Sequence, residues 1–474
     1  MSANYSHIFS IALVALGVGQ RAYAEPIYNI KDITPDGYST SVAYDINSSG
    51  DAAGVAGRFV SGSLEEAFFF YDHSTGVSSV FGVGVLQPRG AIVGTGFREA
   101  AINDSDQIAG TARFLGGSPQ SRGFIYNGAS ITNLGVMPGF PASNIRPASD
   151  ALDINNSGSA TGTASSGASL TSDNLDVYVG SSAPITDIDG DITPLTRGDY
   201  GRAINDAGLV AGRNELSKAT IFSGPSETVV VAGTSIAADS SEAIDLNEVG
   251  QSVVQNNTTQ RAYRYDTTTS TLLTIPSLGP DQGGIRTFGK AMNESGDVVG
   301  WGDRNSGVSG QGRGFLYDDS DAETYILEDH VILTGSDQVG LADWGKIGTA
   351  WGINDSGWIV GQGDRRFDGA TFPTGRAYLL IPFDGLAGDY NDDGQVDAAD
   401  YTVWRDNLGA AAGTLPNDTD GGVIGAEQYD TWRANFGSTA SSSASSIPEP
   451  SAAGLLVLAV LSLRTGRGRR SSRV

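Results

Sequence analysis

The stretch Ala43-Tyr44-Asp45-Ile46-Asn47-Ser48-Ser49-Gly50 decides how this chain is read, because its pattern occurs seven times. A small or acidic residue leads, an aliphatic follows, then Asn, a short turn and a Gly-rich strand. The pattern returns at Ala101-Ile102-Asn103, Asp153-Ile154-Asn155, Ala203-Ile204-Asn205, Asp245-Leu246-Asn247, Ala291-Met292-Asn293 and Gly352-Ile353-Asn354. Successive Asn residues lie 56, 52, 50, 42, 46 and 61 positions apart. A strand-rich repeat of about 40–50 residues signals a propeller, solenoid or array.

The phrase has a physical rationale. Asn hydrogen-bonds its own following backbone and nucleates a turn. Gly three positions later, as at Gly50, Gly158, Gly208 and Gly296, supplies the positive φ that closes a hairpin. Strand alternation sends Ile46 to one face and Asn47 to the other. These are scaffold roles.

Each unit carries more than the phrase. After Gly110, Gly123-Phe124-Ile125-Tyr126 reads as an aromatic strand and Ile131-Thr132-Asn133-Leu134-Gly135 as a second. Asp153-Ile154-Asn155 is a third, and the turn Asn156-Ser157-Gly158 feeds a fourth ending at Gly162. Four short strands joined by turn residues predict one antiparallel sheet. The aromatic strand recurs at Ala67–Phe70, Ala262–Tyr265, Gly314–Tyr317 and Ala377–Leu380, and more weakly at Thr220-Ile221-Phe222. The expected fold is all-β, a seven-bladed β-propeller of four-stranded repeats over residues 25–387. Tyr28–Ile33 matches one strand of a unit and Arg376–Leu380 another, so both ends complete one blade and close the ring. An open solenoid would need polar caps at each end.

These repeats resemble the HAF family of extracellular repeats, whose units pair an Ala-Phe-aromatic strand with an Ala-x-x-Ile-Asn-x-x-Gly phrase. The resemblance spans about three quarters of the chain. It implies an exported propeller-like domain and no particular reaction.

Composition changes at Gly388. Asp389, Asn391, Asp393, Asp397 and Asp400 place oxygen donors at positions 1, 3, 5, 9 and 12 of a loop, with Gly394 at 6 for the sharp turn and the Gln395 carbonyl at 7. That ring of oxygens predicts a Ca²⁺ site. The segment Tyr401–Gly409 reads as a helix and returns 28 residues later as Tyr429–Gly437. Tyr, Trp and Leu/Phe at i, i+3 and i+7 give each helix one apolar face. Two such halves over residues 388–437 resemble a type I dockerin module. That resemblance implies a calcium-binding, small α-helical unit with a cohesin-like partner, and Thr402, Asp406, Asp430 and Ala434 fall at contact positions. The second loop departs from the pattern, with Asn417, Thr419, Gly421, Val423, Gly425 and Gln428 at the ligand positions.

The ends carry an address. The apolar run 8–19 precedes Ala22-Tyr23-Ala24, a small-x-small cleavage site, so residues 1–24 read as a signal peptide. A Ser-rich linker (438–447) leads to Pro448-Glu449-Pro450, the apolar run 451–463 and five arginines from Arg464 to Arg473. Thirteen helical residues rise about 20 Å, a short transmembrane helix against a ~30 Å hydrocarbon core. This tail, residues 448–474, resembles a PEP-CTERM sorting signal. The resemblance implies recognition by an exosortase-type sorting protease and a secreted or cell-surface location, anchored transiently or permanently through the C-terminal helix.

Net charge is −25, which argues against a nucleic-acid partner. There is no Cys, so neither disulfides nor thiolate metal sites contribute. No nucleophile elbow or phosphate loop is present, and His73 and His330 stand in no metal-ligand spacing. No catalytic residue is assigned. The expectation is a non-catalytic protein of the bacterial envelope or biofilm matrix, with an extracellular polysaccharide as partner. The alternative is a secreted polysaccharide-degrading, glycoside-acting enzyme. Trp301, Trp344 and Trp351 are the aromatics suited to stacking on sugars, or to packing blades.

Overall fold

In a computed structural model, residues 26–438 are described, apart from the segments 89–97, 117–119, 139–147, 166–174, 189–198, 224–226, 231–238, 279–285, 304–311, 333–343, 366–373, 384, 392–394, 412–413 and 421. The signal peptide, the Ser-rich linker beyond residue 438 and the sorting tail lie outside the described residues, and so does Asp393. Among the described residues no helix is long and apolar enough to cross a membrane. The chain divides into one unit ending at Asp384 and a second beginning at Gly385.

The first unit is a seven-bladed β-propeller, seven sheets of at least four strands, antiparallel except where Tyr28–Asp32 pairs parallel with Val331–Ile332. Blade 1 is built from Thr40–Ile46, Ala52–Val60, Ser63–Asp72 and Val77–Phe81, in that order from the axis outward. The innermost strand of every blade carries the Asn phrase at its end. The second strand is the Gly-rich one, and the third is the aromatic one. Glycine is required beside the bulged inner strand of its own sheet: a Cβ on Gly54 would stand 2.1 Å from the Val42 carbonyl oxygen. The aromatic strand fills the space between sheets, and Phe68, Phe69, Phe124, Phe222 and Phe315 are fully buried.

The phase of the repeat differs from the sequence expectation. Ser121–Tyr126 and Ile131–Asn133 belong to one sheet, whereas Asp153–Ile154 and Ala160–Ser165 belong to the next. A linear repeat has no marked start, and the four strands read from the sequence straddle two blades. Ring closure occurs as expected. Tyr28–Asp32 pairs antiparallel with Thr374–Pro382, Tyr28 facing Pro382 and Asp32 facing Tyr378. The last blade, Trp344–Ile353, Ile359–Arg365 and Thr374–Pro382, thus takes its fourth strand from the chain's beginning. Arg365 and Arg376 both ion-pair with Asp32 across this seam.

The inner strands are bulged. In blades 1, 5 and 6 the register shifts between Ala43 and Asp45, Ala243 and Asp245, and Gly289 and Ala291. A bulge leaves one residue unpaired and bends the strand. Simple alternation therefore does not hold through the phrase, and Ile46 and Asn47 are both buried.

The second unit holds two helices, α1 (Ala398–Asp406) and α2 (Ala426–Asn435). They pack through Tyr401, Trp404, Tyr429 and Trp432, with Trp404 and Tyr429 centroids 5.0 Å apart. The two halves reciprocate. Trp404 Nε1 donates to the Gly425 carbonyl at 2.8 Å, and Trp432 Nε1 donates to the Asp397 carbonyl at 2.7 Å. Leu408 and Phe436 are exposed, and of the two Phe436 reaches the cluster, edge-on to Trp432 with centroids 5.2 Å apart. Leu408 lies two residues past the end of α1 and Phe436 one past the end of α2, where the chain has left the helical path.

Candidate functional site

Seven inner strands end around one axis, and their Asn residues form a closed ring. Asn47 Nδ2 donates to the Asn103 carbonyl at 3.3 Å, and Asn103 Nδ2 to the Asn155 carbonyl at 2.9 Å. The pattern continues through Asn205, Asn247, Asn293 and Asn354. Asn354 returns the bond to the Asn47 carbonyl at 3.0 Å. Each Asn also holds its own turn; Asn47 Oδ1 accepts from the Ser49 and Asp51 N–H groups at 3.1 and 2.9 Å. One amide thus closes a hairpin with its oxygen and ties the neighbouring blade with its nitrogen. Gly50, Gly158, Gly208, Gly250, Gly296 and Gly357 take positive φ in these turns, and Asp106 replaces Gly in blade 2 with φ 58°.

The residue after each Asn builds a second ring at the surface. The Asp104, Asn156, Asp206, Glu248, Glu294 and Asp355 side chains each accept the N–H of the corresponding residue in the preceding blade, at 2.6–2.9 Å. Partial burial opposes ionisation of Asp104, but its bonds to Ser48 and Asn156 win and hold it below the usual carboxylate range. For Glu248, burial raises the carboxyl and the bond from Asp206 only partly offsets it.

Deeper in the channel, Asp45, Asp153 and Asp245 project from alternate blades. Each accepts a backbone N–H from the next blade, from Ile102, Ile204 and Met292 at 2.9, 2.8 and 2.8 Å. All three carboxylates face Arg98, with N···O separations of 3.8, 3.1 and 4.0 Å. Burial disfavours these anions, and one cation cannot balance three: Asp153 is pushed up to about 7 and Asp245 to about 6. Asp45 is raised for the same reason. Burial also disfavours the Arg98 cation, but the three carboxylates outweigh it and raise its pKa.

Arg98 divides the channel. At the Asn end is a cavity of about 200 Å³ bordered by both rings and the three Asp residues. At the end where the inner strands begin is a cavity of about 310 Å³, and Arg98 lines both. The larger cavity includes Phe288, Lys290, Trp301, Trp351 and the Arg202–Glu242 ion pair. Of the tryptophans singled out in the sequence, Trp301 and Trp351 reach this cavity, whereas Trp344 is buried among blade side chains. The sequence reading missed Arg98, Lys290 and Gln255. The alternation of Asp45, Ala101, Asp153, Ala203 and Asp245 was the visible sign of a charged channel.

In the second unit, the expected calcium loop has two deeply buried carboxylates, Asp389 and Asp400. Asp400 Oδ1 accepts the Asn391 N–H at 3.0 Å, and Oδ2 accepts the Asp397 N–H at 2.8 Å. Both ends of the loop therefore converge on one carboxylate, whose second lone pairs remain for a cation. Asp397 caps α1 by accepting the Ala399 N–H at 2.7 Å. Asn391 and Gln395 are exposed. Among the described residues no three His, Cys, Asp or Glu side chains are gathered tightly enough to hold a metal. The donor set expected from the sequence also includes an amide, a backbone carbonyl and Asp393, which lies outside the described residues, and the buried Asp389 and Asp400 carboxylates are oxygen donors of the kind a hard cation takes.

The second loop is arranged differently. Gln428, at the place equivalent to Asp400, accepts the Gly425 N–H at 2.7 Å through Oε1 and points Nε2 at Asp418 Oδ2 at 3.5 Å. An amide N–H stands where a cation would meet the buried Asp418.

Residues 17–136 match a family described as a protein of unknown function (DUF3466). That match ends after the outer strand of blade 2. No curated protein sequence matches the chain. Among solved structures, the acylaminoacyl peptidase of Pyrococcus horikoshii is 14% identical with a TM-score of 0.42, covering 74% of this chain and 53% of that one. The chain thus spans about half the length of that peptidase. The β-propeller domain of the Trilobed protease from Pyrococcus furiosus is 10% identical with a TM-score of 0.42, covering 72% of this chain and 97% of that one. Virginiamycin B lyase from Staphylococcus aureus is 11% identical with a TM-score of 0.40, covering 75% and 99%.

Proposed function

We propose that this is an exported, surface-sorted, non-catalytic protein of the bacterial envelope or biofilm matrix, whose propeller presents a rigid binding site in its channel. The observation that carries this reading is the engagement of the channel carboxylates. Asp45, Asp153 and Asp245 each hold the next blade's backbone and share Arg98, an arrangement that uses them as braces between blades. A glycoside-cleaving pair would instead face an open cleft, about 5–10 Å apart, free to exchange protons with substrate.

The leader and the Pro-Glu-Pro tail support export and sorting by an exosortase-type protease. The paired helices and the reciprocal Trp bonds support a dockerin-like module that attaches the protein to a cohesin-like partner or stiffens its stalk. Asp389, Asn391, Asp393, Gln395, Asp397 and Asp400 would hold Ca²⁺ there. When bound, the ion would supply positive charge beside the buried Asp389 and Asp400 carboxylates.

One observation favours the glycoside-acting alternative: a carboxyl raised to about 7, as Asp153 is, suits proton transfer near neutral pH. The test is retention of the full chain on insoluble polysaccharides, with and without Ca²⁺, while released sugar is assayed. Retention without release supports the binding reading. Release that Asp153→Asn abolishes overturns it.

A further inference from the structure

The larger channel cavity has three features that point to one ligand chemistry. Its walls carry aromatic faces: Phe288 and Trp301 stack with centroids 4.5 Å apart and planes at 12°, and Trp351 stands nearby, edge-on to Tyr44. Flat aromatic surfaces take the apolar face of a ring.

The second feature is cationic. Lys290 Nζ lies 4.4 Å from the centre of the Trp351 ring. Burial, with Arg202 and Arg98 nearby, lowers its pKa to about 8, against the pull of Glu242. Arg202 is paired with Glu242, and Arg98 with the three aspartates. An anion entering the cavity therefore relieves the crowding of Lys290 by two arginines.

The third is an orphan acceptor. Gln255 is 4% exposed and lines the cavity. Its Nε2 donates to the carbonyls of Thr287 at 3.2 Å and Asn256 at 3.3 Å. Those two carbonyls fix the amide orientation, since the reverse would set oxygen against oxygen. Gln255 Oε1 accepts no hydrogen bond. A buried acceptor of this kind calls for a donor; Oε1 itself is closed to solvent, so a ligand hydroxyl meets it once the Gln255 side chain turns into the cavity it lines.

We propose that the cavity binds an acidic sugar, a hexuronate residue, with its ring against the Trp351 or Phe288–Trp301 surface, its carboxylate toward Lys290 and a hydroxyl donating to Gln255 Oε1. Its volume of about 310 Å³ lies at the small end of the range for ligand pockets. This assignment deepens the proposed reading of the channel as a binding site and rests on that part of it.

Tryptophan fluorescence of the full chain, titrated with glucuronate, galacturonate, glucose and benzoate, tests it. A uronate is expected to bind at least tenfold tighter than either glucose or benzoate. Equal affinity for uronate and glucose overturns the role of Lys290, and benzoate binding as tight as uronate overturns the sugar. No uronate binding overturns the whole. Lys290→Met should cost the tenfold preference over glucose, and Lys290→Arg should retain most of it. Gln255→Met should weaken uronate and glucose alike. These wild-type comparisons stand even if a variant misfolds. Failure here leaves the non-catalytic reading untouched, whereas sugar release from a polyuronate would sink that reading and leave the binding assignment in place.

Discussion

Asn354 Nδ2 donates to the backbone carbonyl of Asn47 at 3.0 Å, joining residues 307 positions apart. The bond repeats one made six times between sequential blades, and it closes them into a ring. A second closure lies on the rim, where Tyr28–Asp32 supplies the fourth strand of the last blade.

Loss of one ring amide should destabilise the propeller. Asn354→Ala removes the bond to Asn47 and the acceptor for the Ser356 and Trp358 N–H groups. Leaving buried groups unpaired costs about 1–3 kcal/mol. Asn354→Asp keeps the turn acceptor but sets a carboxylate against the Asn47 carbonyl, so it should cost more at neutral pH than near pH 4. Urea unfolding checks both, with the exposed turn residue Asn127→Ala as a near-neutral control. An Asn354 cost no larger than that of Asn127 would deny the ring its stabilising role.

The rim seam makes a separate prediction. The Asp32 side chain, 8% exposed, lies between Arg365 and Arg376. Removing one partner of a buried ion pair costs roughly 3–5 kcal/mol because the other charges stay uncompensated. Asp32→Ala should lower the thermal midpoint and expose the first strand to limited proteolysis. Cleavage no faster than in the parent protein would show that the main-chain pairing alone secures the seam.

The channel aspartates should make stability depend on pH. Asp153 stands at about 7 in the folded protein against an ordinary 3.8, chiefly because burial penalises its charge. A raised carboxyl pKa means the folded state keeps protons that the unfolded state has released. Stability therefore falls as pH rises from 3.8 through about 7. Asp153→Asn keeps an acceptor for the Ile204 N–H and removes the charge. It should flatten that fall and gain on the order of 1–3 kcal/mol at pH 8. Urea midpoints at pH 5 and pH 8 measure the slope; an unchanged slope refutes the assignment.

Calcium should bind once per chain. Asp400 gathers the first loop, whereas Gln428 offers the second an amide in place of a carboxylate. Isothermal titration is expected to give a stoichiometry near one, lost in Asp400→Ala. Chelator should lower the unfolding midpoint of the helical unit, read by tryptophan fluorescence of Trp404 and Trp432. Two ions per chain would mean that Asp418 and Asp420 rearrange around a cation.

The sequence by itself determined the blade count, the all-β class and the closure at the seam. Those follow from local signals: Asn and Gly at fixed offsets from an aliphatic residue, and strand patterns that recur with the repeat. It also marked Asn47 and its equivalents as turn residues. The hydrogen bond from each Asn to the next blade was invisible, because its partner is a backbone carbonyl, which every residue carries. The phase of the blades was undetermined for a related reason: a periodic string has no preferred starting point until a sheet forms. The tertiary structure alone decided the channel. Arg98 meets Asp45, Asp153 and Asp245 because strands more than 40 residues apart converge on one axis. Lys290, Trp351 and Gln255 share a cavity for the same reason. Local propensity fixes the strands, but only convergence of all seven sets which side chains face one another.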